Sequence, residues 1–272
     1  MNTHTMKGLL LISFITLAAC TYDKNISYES IESFPIKVGN SWEYSSMSIV
    51  KIYESELSNI AIEVDTISRN YIVRVENDTI LNDTMRVFQF SSTRVGGKYK
   101  SIEYCYWDSA GLHTYANSSG GSHVFPKKGF IETNIEKVNE SFGVFSPVYL
   151  LEADFTVFPI SRHNLKFPLE LHSKWTYTFP YSPFFLQIDK EIVGYENIKI
   201  ANRNFSCYKI KWIYLENKFF DGMTIFDWVS SEGLIKREIV GGRSRLTTPD
   251  GESIGSSQLT EIIALTSLSL SL

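Results

Sequence analysis

The chain has 272 residues, 43% of them hydrophobic and 14% aromatic, with a formal net charge of −4 at pH 7. That acidity, with no basic cluster, argues against nucleic acid as a partner. The apolar share is enough for a real core, and abundant Tyr and Phe favour strands. The length suits one large β-body as well as two smaller ones.

The first recognisable stretch in the chain is a targeting signal. Lys7 precedes an apolar run from Gly8 to Ala19, too short to span a bilayer. Leu17-Ala18-Ala19-Cys20 closes it. A basic start, a short apolar run, small residues and then cysteine resemble the lipobox of bacterial lipoproteins. The resemblance implies a signal peptide over residues 1–19 and lipid on the Cys20 thiol. Several acyl chains on one cysteine anchor a protein stably, at about 0.8 kcal/mol per buried CH₂. Thr21 follows the cysteine where aspartate is the inner-membrane retention signal in some bacteria, so the resemblance points to the outer membrane. Residues 20–33 are polar and read as a flexible tether.

The body then opens on Phe34-Pro35-Ile36-Lys37-Val38-Gly39-Asn40-Ser41-Trp42-Glu43-Tyr44. The same pattern returns as Phe167-Pro168-Leu169-Glu170-Leu171-His172-Ser173-Lys174-Trp175-Thr176-Tyr177. Proline holds its own φ and pushes the residue before it to an extended conformation. Trp42 and Tyr44, like Trp175 and Tyr177, sit two apart and so share one face of a strand. Each copy is followed by an aromatic strand end, a polar turn and Gly-Leu: Tyr106-Trp107 through Gly111-Leu112, then Trp228 through Gly233-Leu234. Two tandem β-segments are expected, residues 34–166 and 167–272, in one body over residues 34–272.

Period-two alternation recurs between turn signals. Tyr71, Val73 and Val75 form one face; Tyr208, Ile210, Trp212 and Tyr214 form another; Leu268, Leu270 and Leu272 alternate with serines. Gly96-Gly97, Asp108–Gly111, Asp221-Gly222, Gly241-Gly242 and Pro249-Asp250-Gly251 punctuate the runs. Only Ile131–Ser141 has a weak helical pattern. The predicted fold is all-β, a curved antiparallel sheet forming a half-barrel or sandwich, with few short helices.

The second half carries a further resemblance. Val193-Gly194-Tyr195-Glu196, Asn204-Phe205-Ser206-Cys207-Tyr208-Lys209-Ile210 and Trp228 through Gly233-Leu234-Ile235-Lys236-Arg237-Glu238 look like a pattern of uncharacterised envelope lipoproteins. His172 stands where that pattern has glycine. The resemblance implies a curved sheet like the half-barrels of Lol-type lipoprotein carriers. It implies no particular activity.

No catalytic constellation emerges, and no cofactor is called for. Gly251-Glu252-Ser253-Ile254-Gly255 matches a nucleophile elbow, but a turn precedes it and no histidine follows, so it reads as a hairpin loop. His113, His123, His163 and His172 form no metal-ligand spacing. Cys105 and Cys207 are either a disulfide joining the two segments or two buried thiols on separate strands. Asp65-Thr66, Asp78-Thr79, Asp83-Thr84 and Asp108-Ser109 each fit an O-glycosylation signal, or simply strand ends and turns.

Two functions stay open. One is non-enzymatic binding of an apolar ligand, lipid or glycan, with Trp42, Tyr44, Trp175 and Tyr177 as candidate contacts. The other is an accessory lipoprotein that binds another envelope protein, which calls for a filled core and an open sheet edge.

Overall fold

In β1 (Ser41–Tyr53), buried Trp42, Tyr44, Ser46 and Ser48 alternate with Glu43, Ser45 and Met47 on the other face. That period of two puts one face of the strand against a core. The computed structural model describes residues 30–97, 100–119, 144–145, 155–181, 184–214, 222–247 and 250–271. The signal peptide, Cys20 and Ile131–Ser141 lie outside these residues. Among the described residues there is no helix.

From β1 the chain makes a meander: β2 (Ala61–Leu81), β3 (Met85–Arg94), β4 (Lys100–Asp108), β5 (Gly111–Ser119) and β6 (Thr156–Lys166). The second half repeats it as β7 (Lys174–Tyr181), β8 (Phe184–Ile200), β9 (Arg203–Tyr214), β10 (Thr224–Ser230) and β11 (Gly233–Val240). Short β12 (Ser244–Thr247) and long β13 (Ser253–Ser269) finish it. The sheet order is β6-β5-β4-β3-β2-β1-β13-β11-β10-β9-β8-β7, with β12 on β13. The molecule is a single antiparallel sheet curved nearly into a barrel. Gly251 and Glu252 lie in the turn before β13, but Ser253–Gly255 belong to β13 and not to a hairpin loop: their backbone continues the ladder with β12, which a polar sequence does not forbid.

Closed into a ring, this order maps onto itself by a half-turn that carries β1 to β7, β2 to β8, β3 to β9, β4 to β10, β5 to β11 and β6 to β13. The β1–β13 joint then corresponds to the β6–β7 seam. The joint is a ladder along all of β1. Among the described residues no ladder joins β6 to β7. Pro159 in β6 and Pro180 in β7 each lack the N–H a ladder needs, and the β6 register slips beside Pro159. Side chains bridge the gap instead. The Trp175 indole donates to the His163 carbonyl (3.2 Å) and Lys190 Nζ to that of Asn164 (2.9 Å).

The two strand entries meet: Leu169 N donates to the Ile31 carbonyl at 2.9 Å. Each entry also docks on the other copy's Gly-Leu turn. Trp42 Nε1 donates to Glu232 O (2.7 Å), while Phe167 packs on Trp107 with ring centroids 4.7 Å apart. The match is not perfect. The carbonyl of Ala110, which occupies the place of Glu232, is taken by the His163 ring at 3.1 Å, and Trp175 moves on to the His163 carbonyl.

Candidate functional site

The residues singled out by the repeat fill the core. Trp42, Tyr44 and Tyr177 are 1% exposed and Trp175 is 7% exposed. The indoles of Trp42 and Trp175 and the Tyr44 hydroxyl each donate to a backbone carbonyl, Glu232, His163 and Leu234 respectively. These donors hold the wall together, as buried Trp and Tyr tips commonly do. Burial drives the Tyr44 pKa up. Cys105 on β4 and Cys207 on β9 are free, buried thiols, with Cys207 pushed up to about 12 by burial, then by Glu196 and Glu232. His163 stacks on His113, with ring centroids 4.5 Å apart.

A different set of side chains comes together in the interior. Lys190 on β8 is the direct cross-strand partner of Trp212 on β9, and Asp227 on β10 that of Arg237 on β11. Opposite residues on neighbouring antiparallel strands share a face, so all four point inward. Arg237 grips Asp227 with two bonds, Nε to Oδ1 (2.6 Å) and Nη2 to Oδ2 (2.9 Å). Trp212 Nε1 adds a third donor to Asp227 Oδ2 at 2.9 Å. Lys190 Nζ stands 3.6 Å from the Trp212 ring centroid and 4.8 Å from that of Tyr177. Burial holds the Lys190 pKa well below the ordinary lysine range; Arg237 pushes the same way, while Asp227 and Glu103 oppose. The cluster thus holds two acids, Glu103 and Asp227, and two bases, Lys190 and Arg237.

Val144 and Phe145, from the connection between β5 and β6, reach into this cluster. Glu103 Oε2 accepts their N–H groups at 3.1 and 3.4 Å, and Arg237 Nη2 donates to the Val144 carbonyl at 2.9 Å. The Phe145 ring meets Phe34 and Phe90 edge-on, with centroids 5.3 and 5.2 Å away. Such contacts are worth about 0.5–1.5 kcal/mol each beyond burial. Beside them lies a cavity of about 10 Å³, lined by Phe34, Phe145, Asn164, Lys190, Asp227 and Arg237 among others. It has room for roughly one water molecule. Asn164 Oδ1, buried at its edge, has no partner among the described residues. Among the described residues no cluster of three or more His, Cys, Asp or Glu could hold a metal ion.

The sequence did carry a signal for these groups. Ile188-x-Lys190-x-Ile192, Ile225-x-Asp227 and Ile235-x-Arg237-x-Ile239 each place one charge on an apolar strand face. Alternation says such a charge points inward; it does not say that three such strands face one another. No protein-family model, curated protein or solved structure matches this chain.

Proposed function

We propose that the chain is a lipid-anchored envelope protein, tethered through Cys20 at the outer membrane, that binds an apolar ligand in its interior without catalysis. The observation that carries this is the seat of Val144–Phe145. The Phe145 ring fills a slot of Phe34 and Phe90, while Glu103 accepts the N–H groups of Val144 and Phe145 and Arg237 donates to the Val144 carbonyl. That seat complements an apolar group next to an amide or carbonyl, the chemistry of an acylated molecule. Buried charges are costly unless fully paired, and Glu103 and Arg237 direct bonding capacity at whatever sits there. The Lol-carrier resemblance of the sequence and the nearly closed half-barrel agree with this reading.

The test is binding of a dansyl-labelled undecanoic acid to the delipidated full chain. Phe145→Ala empties the slot and is expected to tighten binding at least tenfold. Organic extracts of the protein from its native membrane should contain acyl chains. Failure of both chains to bind the probe, with clean extracts, would end the proposal. The second reading, binding of another envelope protein, is favoured by the edge of β2 over residues 61–68, which among the described residues pairs with β1 alone.

A further inference from the structure

β2 has 21 residues, but β3 has 10 and covers only its second half, ending with Arg94 opposite Tyr71. One more bond follows, from Val95 N to Asn70 O at 2.8 Å. From there down to Ala61 the strand is held by β1 alone among the described residues. The Asn70 carbonyl faces β3, so with period two the N–H and C=O groups of Ser68, Thr66 and Val64 also face that side, where the ladder has stopped. Among the described residues this is an unpaired edge in a well-formed strand.

Two rows of side chains flank it. Ile62 and Val64, 64% and 56% exposed, lie on the outer face, and Leu57 and Ile60 continue the apolar surface through the β1–β2 turn at 92% and 79%. Glu63 and Asp65, both exposed, lie on the face that is interior lower down, and neither forms an ion pair among the described residues. Natural proteins commonly blunt a free edge with proline, lysine or inward-facing charge. Here residues 61–68 hold no proline, lysine or arginine, the outer row is aliphatic at Ile62 and Val64 and hydroxylated at Thr66 and Ser68, and the inward-facing charge is Glu63 and Asp65. The carboxylates do oppose pairing with a second copy: an antiparallel self-pair centred on Asp65 sets Asp65 against itself, and one centred on Val64 sets Glu63 against Asp65. They favour a strand that brings cations to the same face.

We infer that the edge Ala61–Ser68 is a docking site for an extended segment of another protein, one alternating basic with aliphatic residues. The segment adds as a strand: main-chain bonds to Val64, Thr66 and Ser68 supply affinity, and the two rows supply selectivity. The edge lies opposite Met47–Tyr53, the half of β1 far from the strand entry, about 20–40 Å along the strand from Ser41 at about 3.3 Å per residue. On the reading that Cys20 carries the anchor, it is presented away from the tethered end.

The probe is a capped octapeptide alternating lysine and valine, measured by fluorescence anisotropy on the full chain at low and physiological salt. Binding is expected to weaken with salt, and an octapeptide alternating glutamate and valine is expected to bind at least tenfold more weakly. Hydrogen exchange at Val64, Thr66 and Ser68 should slow with the probe bound. Val64→Pro removes one free N–H without touching the β1 ladder, and should weaken binding at least tenfold while leaving the acyl probe of the interior unaffected. Glu63→Lys with Asp65→Lys should reverse the preference between the two peptides. The inference is overturned if neither peptide binds, if Val64→Pro binds the lysine peptide as the native chain does, or if the edge proves to join two copies of this chain.

Discussion

The His163 ring donates from Nε2 to the Ala110 carbonyl at 3.1 Å. In the other half of the barrel the corresponding carbonyl, Glu232, belongs to the Trp42 indole. One inserted imidazole thus separates two otherwise related corners, and it sits at the seam where β6 and β7 fail to pair.

That imidazole makes the corner acid-sensitive. Burial, then the neighbouring His113, pulls the His163 pKa from 6.5 down to about 4. Burial lowers His113 as well, against the pull of Asp108. The folded state therefore prefers both rings neutral, while the unfolded chain takes up protons near 6.5. Their contribution is fully present above about pH 6.5 and is lost as the pH falls towards about 4. Thermal unfolding followed from pH 7 to 4.5 should show a falling Tm. The fall should be shallower in His163→Gln, and an equal slope in both would refute the assignment.

The two Gly-Leu turns predict unequal costs for the same substitution. Gly233 has φ +117°, and a Cβ there would stand 2.8 Å from Trp42 Nε1. Gly111 has φ +143°, and its Cβ would stand 2.0 Å from the Leu165 carbonyl oxygen. An indole can shift slightly, whereas a ladder carbonyl cannot. Gly233→Ala should cost about 2–3 kcal/mol and Gly111→Ala more, from strain plus overpacking. Urea titrations compare them, and equal or negligible losses would contradict this.

His172 replaces a glycine of the first copy yet keeps its left-handed turn, with φ +66° against +95° at Gly39. A side chain in that region costs about 1 kcal/mol. His172→Gly is expected to gain roughly 0.5–1 kcal/mol of stability, less the entropy a glycine adds to the unfolded chain. A loss would show that the imidazole makes a compensating contact.

The interior ion pair predicts a large loss for a single change and a smaller one for a paired change. Removing the Arg237 guanidinium leaves Asp227 charged and buried, a state that typically costs about 3–5 kcal/mol. Arg237→Met should lose that much. Adding Asp227→Leu should recover part of it, short of full rescue because the Trp212 indole then lacks its acceptor. A double-mutant cycle with no coupling would show that the two groups act separately.

Reading along the chain succeeds wherever a feature is local. Alternation around Trp42 and Tyr44 gives a half-buried strand, and Gly111 and Gly233 mark hairpins, because backbone sterics and a two-residue period act within a few positions. The tandem pattern of Phe, Pro, Trp and Tyr likewise announces two related β-segments. It cannot say which carbonyl each indole reaches.

What the sequence determined by itself is therefore the strand class, the turns and the doubling. Only the tertiary structure decided that Lys190, Asp227, Arg237 and Glu103 share one interior, that the aromatic repeat residues fill the wall, that Cys105 and Cys207 stay apart, and that β2 outruns β3. Each of these depends on which strands become neighbours and in what register. That is settled by how the whole sheet pairs and closes, and residues far apart along the chain, such as Glu103 and Asp227, leave no local trace of it.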